Sequence, residues 1–306
     1  MFFRPNPRRT LVAALLCLFS HLCFAQQLAL SFDDGFNPEA HPGARQWNAQ
    51  LLATLEARGI QAALFPSLAR LGNGAGLELL GAWAQAGHMI GNHTASHRSL
   101  AAPEVSLDGF ISDVETADEA LRGLSTFVPM LRFPYLKEGD TLAKRDGMRA
   151  WMKRRGYRPA PVSIDASDWY YNRVYAGHLA AGETGKAGQV KQRYIDHLLD
   201  RAAYYDGLAR RVLGRSPTHV MLLHTNQLNA DALGDVIDAL NAKGWRVVPA
   251  RSAFADRLYD SPPDTLPAGE SIIWAQARAA GIPCLRYPAE DAVYEAPRLR
   301  EAGLIP

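Results

Sequence analysis

Ser31-Phe32-Asp33-Asp34-Gly35-Phe36-Asn37-Pro38 closes the apolar run that begins at Leu28, and it reads as a β-strand ending on two adjacent carboxylates. Neighbouring side chains of a strand point to opposite faces. Asp33 and Asp34 therefore meet at one site only if the strand stops there and the backbone turns at Gly35, a residue that tolerates such a turn. The same letters are also ordinary turn chemistry, because Asp, Gly, Asn and Pro each favour turns. The two readings separate on whether other residues are placed to use a pair of carboxylates.

Outward from this strand the chain alternates. Helical spacing follows over Gln46 to Arg58, then a strand at Ile60 to Phe65, a helix at Leu77 to Ala86 and a strand at His88 to Asn92. Leu107, Phe110, Ile111, Val114, Ala117, Leu121 and Leu124 line one helical face, with Pro103 at a favoured first-turn position. Phe127 to Phe133 reads as a strand, Lys144 to Arg155 as a helix and Pro161 to Ile164 as a strand. A long helix carries Tyr194, Ile195, Leu198, Leu199, Ala202, Leu208, Ala209, Val212 and Leu213 on one side. His219 to Leu223, a helix at Asp231 to Ala242 and Trp245 to Val248 complete seven strand-helix units. Alternation of this kind implies parallel strands with helices outside. Seven units suit a barrel-like closure, with a doubly wound sheet as the alternative, and in both architectures functional residues gather at the C-terminal strand ends. Residues 251–306 are rich in Pro and Arg, with one helical piece near Ile272 to Ala280, and read as a packing extension.

At the other end, Arg4, Arg8 and Arg9 precede an apolar run from Leu11 to Phe24 that stops at Ala25. This is the layout of a secretory signal over residues 1–25, cleaved after Ala25. As a helix the run is roughly 21 Å long at about 1.5 Å per residue, short of a hydrocarbon core of about 30 Å, so no stable membrane span is expected once it is removed. Its loss takes three arginines, leaving 30 basic against 31 acidic residues and a net charge of −1. A near-neutral mature chain offers no case for a nucleic-acid partner. Cys17 and Cys23 leave with the signal, and Cys284 alone forms no internal disulfide, so a secreted or periplasmic chain is held by its core.

The other strand ends supply what two carboxylates would use. His93-Thr94-Ala95-Ser96-His97 spaces two imidazoles four apart, as one side of a helical turn would, and a His, His, carboxylate set leaves positions open for water and substrate. Arg132 ends the strand before Phe133-Pro134-Tyr135, and a buried arginine there needs a carboxylate partner, Asp33 or Asp168. Asp165-Ala166-Ser167-Asp168-Trp169 and Met221-Leu222-Leu223-His224 end the next two strands.

Taken in order, Ser-Phe-Asp-Asp-Gly, His-Thr-x-x-His, Arg-x-Pro-Tyr, Asp-x-x-Asp-Trp and Leu-Leu-His resemble the five motifs of the polysaccharide deacetylases of the NodB-homology type, carbohydrate esterase family four. The resemblance spans about Gln27 to Pro249 and implies an α/β fold, a deformed (β/α)7 barrel over residues 26–250 with 251–306 as a C-terminal extension. It also implies an acetylated glycan as substrate and roles for the residues. Asp34, His93 and His97 would hold one divalent metal ion, zinc first, with Co, Mn or Ni also suited to such ligands. Asp33 would be the general base, Arg132 its orienting partner, and the Tyr135 backbone N–H a donor to the oxyanion. His224 would protonate the leaving amine with Asp168 tuning it, while Trp169 and Leu222 wall the acetyl pocket.

Two departures stand out. Arg98 follows the second histidine where the family usually has proline, and an aromatic segment after Trp169 carries Tyr170, Tyr171 and Tyr175, which at the active-site face would stack on sugars, Tyr170 lining the pocket. Competing functions are an amidase or imidase on a non-glycan bond and a carbohydrate-binding protein without turnover.

Overall fold

A computed structural model describes residues 26–72, 74–287 and 292–306. The expected signal over residues 1–25 lies outside them. The chain opens with β1 (Gln26–Asp34), α1 (Ala44–Ala57), β2 (Ala63–Pro66), α2 (Leu68–Leu71), α3 (Gly74–Gln85) and β3 (Met89–Asn92). It continues with α4 (Leu107–Leu121), β4 (Phe127–Leu131), β5 (Lys137–Gly139), α5 (Leu142–Arg155), β6 (Arg158–Pro159), α6 (Asp168–Ala180) and α7 (Thr184–Leu213). It ends with β7 (Thr218–His224), α8 (Gln227–Ala242), β8 (Trp245–Val247), α9 (Ala250–Ala253), β9 (Ala268–Gly269), α10 (Ile272–Ala279) and α11 (Ala292–Glu301).

The main sheet is parallel, in the order β6-β4-β3-β2-β1-β7, with β8 pairing Gln26–Leu28 of β1. Central β1 is buried from Leu28 to Asp33, as a strand covered on both faces must be. The sheet curls until its edges approach. Ala160 N–H reaches Leu131 O at 2.8 Å on the β4 side, and Ile164 bridges Met221 of β7 on the other. This is the curled parallel α/β sheet expected from the alternation. The strand placed at Pro161 to Ile164 needs correction, since regular pairing falls at Arg158–Pro159 and only Ile164 bridges beyond it. Pro159 and Pro161 have no N–H to donate to a ladder.

Side-chain caps fix the starts of α4, α5 and α8. Ser106, not Pro103, starts α4, its hydroxyl accepting from Gly109 N–H at 3.1 Å, and Thr141 caps α5 in the same way. The segment expected as an aromatic insertion is helix α6. Residues past Val248 do not stand apart: β9 pairs antiparallel with β5, α10 packs on α7, and Ile272, Ile273, Leu299 and Leu304 share one core with the sheet. No helix among the described residues is long and apolar enough to cross a membrane.

Candidate active site

At the end of β1 the backbone turns earlier than Gly35 alone requires. Asp34 has φ 81° and Gly35 φ 92°, so two successive residues leave the extended region and swing the second carboxylate round to the side of the first. A Cβ at Gly35 would also lie 2.4 Å from Leu71 Cδ2, so the position admits no side chain without displacing Leu71.

The two carboxylates have different company. Asp33 is 2% exposed, and its Oδ1 accepts from Arg132 Nη1 at 2.8 Å. Arg132 is fully buried, donates to Ala160 O at 2.5 Å and Ser31 Oγ at 3.2 Å, and lies 4.5 Å above the Phe65 ring. Of the two carboxylates that could have taken this arginine, Asp33 does; Asp168 is engaged elsewhere. Asp33 Oδ2 is left facing His93 Nε2 at 3.6 Å.

Asp34 gathers with the two histidines. One ligand atom from each of Asp34, His93 and His97 lies within 4.8 Å of the others. The histidines sit in a loop rather than on a helical turn, with Thr94 at φ 68° and His97 at φ 56° bringing the ring centroids to 4.9 Å. His93 Nδ1 lies 2.7 Å from Arg132 O, and a carbonyl only accepts, so Nδ1 carries a proton and Nε2 is the nitrogen that faces inward. Arg70 Nη2 lies 3.4 Å from His97 Nδ1, so His97 would turn a lone pair on Nε2 inward only by exchanging tautomer and releasing Arg70. Burial and the neighbouring His93 push the His97 imidazole down to about 3, keeping it neutral. Burial disfavours charge on Asp34 as well, but His224, His93, His97 and Arg70 outweigh it and hold the carboxyl below its ordinary range. Asp34 Oδ1 is buried without a hydrogen bond, 3.3 Å from His97 Nε2. A buried carboxylate oxygen with no hydrogen bond, beside two imidazoles, fits a divalent cation.

His224 stands opposite, beside Asp33 in the β1–β7 register. Its Nδ1 donates to Asp168 Oδ1 at 2.7 Å, while Oδ2 of the fully buried Asp168 accepts from His224 N, Asn226 Nδ2 and Asn229 Nδ2 at 2.7 to 3.0 Å. Burial opposes a charged imidazole, yet the Asp168 charge and hydrogen bond, with Asp34 and Asp33 beyond, raise His224 to about 10. The result is a histidine protonated at neutral pH with Nε2 free for other contacts.

A cavity of about 610 Å³ joins these groups and is lined by Asp33, Asp34, His93, His97, Tyr135, Trp169, Leu222 and His224, with Asp165 among the further walls. Tyr135 sits at φ 57° in the turn after β4. Tyr170 is not at this surface. It is 3% exposed, with Tyr171 and Tyr175 also buried, because α6 turns these rings into the core; Tyr171 donates to Glu295 and Tyr175 to Asp231. Sugar stacking on these tyrosines is therefore corrected, and Trp169, 41% exposed on the same helix, is the ring that faces the cavity. Arg98, the departure from the family pattern, donates to Ser96 Oγ at 3.0 Å and leaves His97 within the cluster. Sequence reasoning missed Arg70, Lys137, Glu270 and Tyr287, which also line the cavity, and Asn226 and Asn229, which anchor Asp168. Asn at the start of a helix was the one available signal for Asn226, the cap of α8.

Comparison with known proteins places the chain. Residues 25–151 match the polysaccharide deacetylase family. A peptidoglycan-N-acetylglucosamine deacetylase of Bacillus cereus is 27% identical over 239 residues, 74% of this chain and 68% of the relative. A mutant form of the peptidoglycan deacetylase PdaC from Bacillus subtilis superposes with TM-score 0.51 at 21% identity, over 75% of this chain and 90% of that one. A family-4 carbohydrate esterase pseudoenzyme from Bacillus anthracis superposes with TM-score 0.52 at 14% identity, over 75% and 66%. These structural likenesses establish the fold, and the last of them shows that the fold alone does not decide activity. With the five motifs gathered around one cavity, residues 25–151 match a polysaccharide deacetylase domain, set in a fold shared with carbohydrate esterase family 4 structures.

Proposed function

We propose that this protein is an exported, metal-dependent deacetylase that removes acetyl groups, N-acetyl foremost, from a glycan. The observation that carries the reading is the division within the opening pair, where Arg132 holds Asp33 and two imidazoles gather round Asp34. Asp34, His93 and His97 would hold a divalent cation, zinc first, which when bound polarises the acetyl carbonyl and acidifies the attacking water. Asp33 keeps one oxygen on Arg132 and turns the other toward His93, a placement suited to taking the water's proton. The left-handed turn at Tyr135 would aim its backbone N–H at the developing oxyanion. His224, charged and oriented by Asp168, would then pass its Nε2 proton to the leaving nitrogen, so the C–N bond breaks to give a free amine and acetate. Trp169 and Leu222 wall the site. Residues 1–25 are the export signal, 26–250 the catalytic domain and 251–306 its extension.

The test measures acetate release from a panel of acetylated glycans after the metal is stripped and single metals are returned. Release lost on chelation and restored by one dication supports the reading. Undiminished release after chelation contradicts it, and affinity for glycan without acetate under any metal would make the chain a binding protein.

A further inference from the structure

Among the described residues, exposed Phe, Tyr and Trp side chains are few and lie in one place. Those more than a third exposed are Tyr135 at 59%, Tyr294 at 44%, Tyr287 at 42% and Trp169 at 41%. Three of them line the cavity of about 610 Å³, and the fourth, Tyr294, stacks on Tyr287 with centroids 4.7 Å apart and rings 13° from parallel. Scattered exposed hydrophobics need no explanation, but a cluster confined to one cleft does.

Tyr287 and Tyr294 come from the C-terminal segment, outside all five motifs. The residue before Tyr287 is fixed on every side: Arg286 N–H donates to Tyr204 Oη at 3.0 Å, its carbonyl accepts from Trp274 Nε1 at 2.6 Å, and its guanidinium reaches Asp200 at 2.9 Å. The ring at position 287 is thus presented by an anchored backbone, with Tyr294 behind it. Lys137 and Glu270, which pair with each other, line the same cavity and provide polar groups.

Flat apolar rings beside charged donors and acceptors match one ligand chemistry well. A pyranose has a face of C–H groups that lies on an aromatic ring and an edge of hydroxyls that seeks polar partners. We infer that Tyr287, backed by Tyr294, is a sugar-binding platform of the cleft, so that the C-terminal segment takes part in gripping the glycan. This deepens the deacetylase reading and rests on it for the sugar.

The experiment compares the parent chain, Tyr287→Ala and Tyr287→Phe on β-linked N-acetylglucosamine oligomers of increasing length. KM comes from acetate release, and Kd from calorimetry in an Asp33→Asn background that does not depend on turnover. Tyr287→Ala should raise KM and Kd about tenfold, the scale of losing one aromatic anchor. The loss should fall in KM rather than kcat and grow with oligomer length, and Tyr287→Phe should restore it. Values for Tyr287→Ala equal to the parent's at every length overturn the platform, as does a Phe variant as weak as Ala or a parent that binds no oligomer. Weakened oligomer binding with no acetate from any glycan would keep the platform and remove the deacetylase. Acetate release with a silent Tyr287→Ala would do the reverse.

Discussion

Arg132 is the group whose removal should be felt most, because it sits fully buried on a carboxylate that has almost no water. In Arg132→Met a side chain of similar reach keeps much of the packing over Phe65 but takes away the donors to Asp33, Ala160 and Ser31. Leaving one partner of a buried ion pair without the other costs about 3–5 kcal/mol, far more than the intact pair contributes net. At about 2–4 °C per kcal/mol for chains of roughly 150–250 residues, and less per kcal/mol for a longer one, Tm should fall by roughly 6–15 °C. Asp33→Asn in the same background removes the stranded charge, so the double variant should regain stability relative to Arg132→Met, with a coupling energy of about 3 kcal/mol. Thermal unfolding of the four chains, all metal-free, measures this cycle. Strictly additive effects would refute the argument, because they would mean that Arg132 is needed for Ala160 and Ser31 alone and does not answer the Asp33 charge.

Two further outcomes follow from the titrating groups. Asp168 holds His224 protonated up to about 10 against the cost of burial, so Asp168→Asn should move the alkaline limb of the kcat–pH profile down toward the ordinary histidine range; an unmoved limb would mean that another group titrates there. Burial opposes charge on Glu295, but the adjoining His197, Tyr171 and Arg298 outweigh it and draw the carboxyl from 4.5 to about 2. A lowered carboxyl stabilises the fold above its unfolded value and loses that contribution as pH falls through about 2, here on the order of 3 kcal/mol. Acid should therefore lower the Tm of the parent between these values by more than that of Glu295→Gln, and parallel curves would contradict the assignment.

How far the sequence could be read depended on what each feature needs. Strand ends that carry charge after an apolar run are visible locally: Asp33, Asp34, His93 and His224 line one cavity, with Arg132 and Asp168 buried behind Asp33 and His224. Direction was less visible. The spacing of His93 and His97 suggested a helical turn, whereas two left-handed residues bring them together, a choice made by the loop's contacts and not by residue type. Tyr170, Tyr171 and Tyr175 were legible as a group but not as a helix, because aromatic rings suit a core and a binding surface equally, and only the position of α6 decides. β5, β6 and β9, of two or three residues, are too short to show any period. The share of the C-terminal segment in the cleft rests on Glu270 and Tyr287 meeting residues far away in the chain, and no local pattern announces that.

In the proposed mechanism two adjacent carboxylates divide the work, Asp34 for the cation and Asp33 for the water. Asp33→Asn, purified and loaded beside the parent chain, tests it through bound metal per chain and acetate released. Asp33→Asn should hold parent-like metal with acetate release abolished. Loss of the metal in Asp33→Asn, or acetate release undiminished, would contradict it.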